Sequence, residues 1–418
     1  MHESSFFNAV ALGAFPGGFD LSGCGAFRTP KHGSRRIHFH LATPRGFSDF
    51  FDVPHICQLF ELPPNRVWRA YTGGKLLDGI EGKAEPCDSN FPEDWIGSAT
   101  RAINAGREDL DEGAGIARGA DGVEARIDAL LAHDPVAFLG PAHVAAFGVH
   151  PQLLVKYLDS AVRLHLQAHP SVAWSRRHLD DDKGKTEAWW ILGSRGPHPY
   201  VYIGFQRPPT PEAWGRMMKD QDIAAMLACF DRIPVAPGEV FLIPGGTPHA
   251  IGEGLFLLEV QEPTDYVVKT EFEVAGVRLD EQVATMRRGV EGVLDLFDYT
   301  AYSKAAVKDA FGPRPCVLAE SEDGREEMLL GPPQTDRFEL RRIEVGGTFQ
   351  AATDARYSIL IVLEGEGVIR GGGRLALKRW SKVLAPACLE ALTFEGNMTV
   401  ARCLPPSPPV PVRVARLG

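Results

Sequence analysis

The stretch Gly238-Glu-Val-Phe-Leu-Ile-Pro244-Gly-Gly246-Thr-Pro-His249 constrains the fold of this chain more than any other. Four consecutive apolar residues, Val240 to Ile243, have the length of a buried strand. Pro244 cannot donate to a ladder and ends it, while the glycine pair permits a tight turn that delivers His249 back into the interior. The same punctuation runs through the chain, which holds 44 glycines and 32 prolines in 418 residues. Between these breaks lie short β-branched or aromatic runs, so strands are expected over 162–168, 188–192, 200–205, 240–243 and 255–261. Thr210-Pro211-Glu212 supplies a cap, a proline at the first helical position and an acid in the first turn, predicting one helix that ends near Phe230.

A second stretch, Arg163-Leu-His165-Leu-Gln167-Ala-His169-Pro170, alternates, so His165, Gln167 and His169 share one strand face. Positions two apart on a strand are separated by about 6.6 Å and can share a metal; His165 and His169, about 13 Å apart, cannot easily do so. The ligand pair is therefore His165 with Gln167 or Gln167 with His169, and His169, beside the strand-ending Pro170, is preferred. Glu187 in Lys185-Thr-Glu187 adds a carboxylate at the start of the next strand. Gln167, His169, Glu187 and His249 then form an N/O set that suits Zn²⁺, ahead of Mn²⁺ or Fe²⁺. His165 is expected deeper in the same interior, satisfied by a hydrogen bond.

The first of these stretches matches the G-x5-P-x-G-x2-H pattern of the cupin superfamily, and the chain resembles the type I mannose-6-phosphate isomerases within it. The resemblance rests on Leu153-Leu-Val-Lys156-Tyr-Leu-Asp159, Leu166-Gln-Ala-His-Pro170, Gly184-Lys-Thr-Glu187, Pro244-Gly-Gly-Thr-Pro-His249-Ala and Leu258-Glu259-Val-Gln-Glu-Pro-Thr-Asp265. It implies double-stranded β-helix barrels, one zinc ion held by Gln167, His169, Glu187 and His249, and interconversion of mannose 6-phosphate and fructose 6-phosphate through an enediol. It also points to Lys156, Lys185 and Glu259 as cleft residues. Glu259, a carboxylate in an apolar run, is the first candidate for acid/base work. Four residues after Asp265 the family commonly has an active-site arginine, where this chain has Lys269. A charged anchor without the bidentate fork is expected there.

With 44 Lys+Arg against 54 Asp+Glu and no long run of either sign, the chain offers no electrostatic footprint for nucleic acid or an anionic membrane; a small solute is the expected partner. No apolar run approaches the roughly 18 residues of a membrane span, and the start lacks a basic signal region. The seven cysteines are dispersed and odd in number, so no disulfide framework or thiolate cage is expected, which fits a reducing cytoplasm.

The expected organisation is an irregular extension over 1–60, a metal-bearing cupin domain with helical segments over 61–290, a loop-rich connection over 291–335 and a metal-free cupin-like β-domain over 336–418. His38 and His40 carry strand spacing but no accompanying acid, and residues 1–60 are expected to be dispensable. Rival readings are a non-catalytic sugar-phosphate-binding cupin, an isomerase acting on another sugar phosphate, and an Fe²⁺ cupin oxidising a sugar.

Overall fold

The computed structural model describes residues 54–409; His38 and His40 lie outside them. Two antiparallel sheets build the metal-motif half. Strand Leu255–Gln261 runs between Glu187–Ser194 and Leu154–Asp159 in a six-stranded sheet that also holds Val240–Ile243, Glu93–Ile96 and Arg66–Val67. Opposite lies a five-stranded sheet in which His249–Ile251 is flanked by Tyr200–Ile203 and Gln167–Ala168.

The six-stranded sheet is buried on both faces, which explains why its strands read as continuous apolar runs. Trp189, Ile191, Leu255 and Leu257 point between the two sheets. Their neighbours Ala188, Trp190, Phe256, Leu258 and Val260 point the other way, into a core shared with Leu340, Ile359, Ile361 and Leu384 of the C-terminal half. Strand alternation therefore places Glu187, Glu259 and Lys156 on the inner face, with Trp189, Leu257 and Leu158.

The C-terminal half is an antiparallel sheet dominated by two long strands, Ser358–Arg370 and Ala391–Leu404. Gly365, Gly367 and Gly396 stand within these strands. The glycines lie inside the ladder, and a Cβ on Gly365 would stand 2.0 Å from the Asn397 carbonyl oxygen, so they permit close strand approach rather than a turn. Strands Cys316–Ser321 and Gly324–Leu330 occupy the stretch expected to be loop-rich. The expected helix after Thr210 is two helices, Pro211–Asp220 and Ile223–Ala228, broken where Gln221 adopts φ 50°.

Two further expectations are corrected. Cys57 and Cys388 are joined in a disulfide across 331 residues of sequence. Linear spacing could not reveal this: strand Phe60–Glu61 pairs with Lys382–Ala385 and brings the two thiols together. For the same reason residues 54–60 are not dispensable, since Ile56, Leu59 and Phe60 are buried in the cores of the described structure. No helix among the described residues is long and apolar enough to cross a membrane.

Phe60→Ala should lower the unfolding free energy by about 3–5 kcal/mol, because it empties a fully buried aromatic site at the junction of the two halves. Urea unfolding of the full chain checks this, and a loss below about 1 kcal/mol would mean the site is exposed in solution.

Candidate functional site

Four side chains converge at one end of the space between the two sheets. Glu187 stands where its strand begins, with Oε2 3.1 Å from His169 Nε2 and Oε1 3.4 Å from His249 Nε2. Gln167 pairs with His249 across the five-stranded sheet, and its amide lies 3.4 Å from the same Nε2. The donors of His169, Glu187 and His249 all fall within 4.8 Å of one another, and the three residues are at most 2% exposed.

Backbone carbonyls orient both imidazoles. His169 Nδ1 faces Tyr266 O at 2.8 Å and His249 Nδ1 faces Thr247 O at 2.8 Å, leaving each Nε2 for the cluster. Burial keeps both rings below the ordinary imidazole range, His249 at about 3, so they are neutral. Burial opposes ionisation of Glu187, but Lys185 and His169 overcome it and hold the carboxyl well below its usual range. Two neutral nitrogens and a carboxylate within 4.8 Å of one another, with the Gln167 amide beside them, are a donor set of the type that suits one divalent cation. His165 is not part of it: it is buried as expected, but its Nε2 has no hydrogen-bond partner among the described residues.

Lys185 Nζ reaches into this group, 2.8 Å from His169 Nε2 and 2.9 Å from Glu187 Oε2. From there a chain of alternating charge runs through the interior. Lys185 lies 4.0 Å from Glu259, and Glu259 accepts from Lys156 at 3.1 Å. Lys156 stands 3.6 Å from Glu93, which accepts from Arg69 Nε at 3.0 Å; Arg69 then donates two bonds to Asp265, at 2.9 and 3.0 Å. Glu93 also accepts from Tyr71 and Trp95, each at 2.7 Å. Burial raises the Glu259 carboxyl above the usual range, with Lys156 opposing and Glu187 reinforcing the shift.

Lys269 is the exception. It pairs in register with Gln167, so its side chain shares that residue's face, yet it has no carboxylate within ion-pair distance among the described residues. Asp265, four residues before it, is taken by Arg69, and Glu271, two residues after it, by Arg163. Burial and then the Arg69 charge lower the Lys269 ammonium to about 8.

The C-terminal half matches the family model for the mannose-6-phosphate isomerase cupin domain over residues 332–405. Mannose-6-phosphate isomerase of Streptococcus mutans is 26% identical over 250 residues, 59% of this chain and 72% of that protein. The Bacillus subtilis enzyme ManA is 34% identical over 113 residues, 27% of this chain and 34% of its own. Mannose 6-phosphate isomerase of Bacillus subtilis shares the fold, with a TM-score of 0.63 at 18% identity, covering 83% of this chain and 99% of that one. In sequence and in fold this chain is similar to the mannose-6-phosphate isomerases. Another solved member of that family, at 16% identity and TM-score 0.64 over 84% of this chain and all of its own, holds zinc.

Its similarity to these isomerases makes the chain an enzyme, and all the site residues named from sequence, Gln167, His169, Glu187, His249, Lys156, Lys185, Glu259 and Lys269, line one interior. Arg69 was missed. Its partners lie 24 and 196 positions away, and a lone arginine in Trp-Arg-Ala-Tyr carries no pattern that marks it.

Glu93 joins the two ends of the ion chain, so Glu93→Ala, which takes one of two carboxylate partners from each of Arg69 and Lys156, should cost about 1.5–3 kcal/mol of stability, the range for a hydrogen bond to a charged group. Burial opposes ionisation of Glu93 and Asp265, but Arg69 and Lys156 hold both below the carboxylate range. A depressed carboxylate stabilises the fold above its unfolded pKa and loses that contribution as pH falls through its folded one. The gap between parent and Glu93→Gln should thus be full above about pH 5 and shrink on acidification, as measured by denaturant midpoints across pH. A gap independent of pH would contradict an ionised Glu93.

Proposed function

We propose that this chain is a zinc-dependent aldose–ketose isomerase that interconverts mannose 6-phosphate and fructose 6-phosphate through an enediol. One zinc ion per chain would be held by Gln167, His169, Glu187 and His249. Bound there, it supplies Lewis-acid polarisation of the sugar's C1 and C2 oxygens.

The observation that carries the phosphate is a charge balance. Glu187, Glu259, Glu93 and Asp265 face Lys185, Lys156, Arg69 and Lys269, four carboxylates against four cations in the described interior. A divalent cation leaves this interior with two positive charges in excess. A phosphate monoester, with about −1.5 to −2 at neutral pH, restores the balance, whereas a neutral sugar does not.

The chain's own residues then divide the work. Lys269, the cation without an acidic partner, takes the phosphate. Glu259 is the acid/base: its raised carboxyl accepts the proton from C2 of the open-chain aldose as the C–H pair becomes the C1–C2 double bond, while the C1=O π pair moves to O1, which takes up a proton. Glu259 then returns the proton to C1 as O2 gives up its own and the C2 carbonyl forms, so that one proton has moved from C2 to C1 and one from O2 to O1, giving the ketose. Lys156, bonded to Glu259, keeps that carboxylate oriented, and Lys185 stands beside the sugar oxygens as an electrostatic donor. The catalytic unit is residues 61–290; residues 336–418 form a supporting β-unit, and their buried polar groups, Arg402, Glu326, Arg341 and Glu339, already neutralise one another.

His249→Ala should lose most of its metal by elemental analysis and with it isomerase activity in a coupled assay. Full metal occupancy in that variant would overturn the ligand set. Lys269→Ala should lower kcat/KM on mannose 6-phosphate by about 10- to 150-fold, the range for one charged hydrogen bond made in the transition state, and Lys269→Arg should hold or raise it. Steady-state kinetics in which Lys269→Ala matches the parent would remove Lys269 as the phosphate anchor.

A further inference from the structure

Glu262, a buried carboxylate that the mechanism leaves unused, bonds to the backbone on both sides of Lys185. The ladder between strands Leu255–Gln261 and Glu187–Ser194 ends at the pair Gln261–Glu187. Residues 184–186 lie beyond it, outside any strand, and they bring Lys185 into the cluster and lead into Glu187. There the Glu262 side chain replaces the ladder: Oε2 accepts from the Thr186 N–H at 2.8 Å and Oε1 from the Gly184 N–H at 3.3 Å.

The same segment is held from its other side. The Lys185 N–H, between the two that Glu262 takes, donates to Pro170 O at 2.9 Å, next to His169. The Thr264 hydroxyl donates to Gly184 O at 2.8 Å. Little room is left: a Cβ on Gly184 would stand 2.8 Å from Val172 N, 2.9 Å from Pro170 O and 3.0 Å from Glu262 Oε2. A shift of the 184–186 backbone therefore has to move Lys185 and Glu187 with it.

The choice of an acid here is informative. Glu262 is 7% exposed, and among the described residues its one cation within ion-pair distance is the half-buried Arg337, at 3.9 Å. Burying a charge so loosely paired is unfavourable, and what it gains is two charge-assisted hydrogen bonds from the backbone. An amide offers one acceptor oxygen, and its nitrogen would face the second N–H. Neither oxygen bonds to a cluster side chain among the described residues, so the carboxylate acts through the backbone. We propose that Glu262 is a positioning residue for the metal cluster: by clamping Gly184 and Thr186 it sets where the Glu187 carboxylate and the Lys185 ammonium stand relative to His169 and His249. The inference rests on the ligand set proposed above.

The test is the zinc affinity of the full chain, measured by competition with a chromophoric chelator, beside steady-state kinetics on mannose 6-phosphate. Glu262→Gln keeps the side chain's volume and one acceptor. It should weaken zinc binding about 10- to 100-fold, the range for a group that orients a metal ligand, and lower kcat with KM nearly unchanged, because the Lys269 anchor is untouched. Thr264→Val should weaken zinc binding by a smaller factor, about 2- to 10-fold, the loss of one neutral hydrogen bond. Parent-like zinc affinity in folded Glu262→Gln overturns the inference, since a merely structural carboxylate would lower the melting temperature and leave the affinity of the folded protein intact. Where Glu262→Gln does not fold, parent-like affinity in Thr264→Val overturns it. A parent that binds zinc without isomerising mannose 6-phosphate defeats the isomerase reading and leaves the zinc comparison to decide this one. An active isomerase whose zinc affinity ignores both substitutions does the reverse.

Discussion

The buried chain of alternating charges from Asp265 to Glu187 is the constraint on which the rest of this structure depends. Six of its members, from Arg69 to Glu187, are no more than 9% exposed, and isolated charges at that depth would cost several kcal/mol each. Each is tolerable only because its neighbours on other strands carry the opposite sign. The ion chain therefore needs the strand register to be right: a slip of one residue would turn Glu259 and Lys156 into the apolar core that holds Leu258 and Tyr157. Its stability contribution is modest against an apolar substitute, but its specificity is high.

Much of the candidate site was legible because it is built from local patterns. His249 follows a Gly/Pro-punctuated strand, Gln167 and His169 alternate before a proline, and Glu259 is a single carboxylate in an apolar run. Such features bear their meaning within a dozen residues. Arg69 does not. It becomes functional only through Asp265 and Glu93, and nothing adjacent to it distinguishes a buried guanidinium from a surface one. The free state of Lys269 was illegible for the same reason, since it follows from Arg69 claiming the acid that lies four residues before it.

The errors in the fold have a common physical origin. Residues 291–335 were read as loop-rich, where strands Cys316–Ser321 and Gly324–Leu330 form and pair onward to the C-terminal sheet. The cysteines were read by linear spacing, where the relevant distance is set by a strand pairing between the two ends of the described chain. The N-terminal boundary was set by the absence of periodicity, which a two-residue strand such as Phe60–Glu61 is too short to display.

That pairing has a consequence for how the protein is made. Phe60 meets Leu384 across about 320 residues of sequence, so during synthesis at about 5–20 residues per second the first strand waits roughly 15 to 65 s for its partner to leave the ribosome. Over that interval its apolar side chains and one edge of the sheet stand open, a template for pairing with another chain. The half that holds the His169–Glu187–His249 cluster is written first and sealed last. A ribosome that stalls before residue 384 therefore releases a chain that carries the whole candidate site but lacks the strand that closes its core.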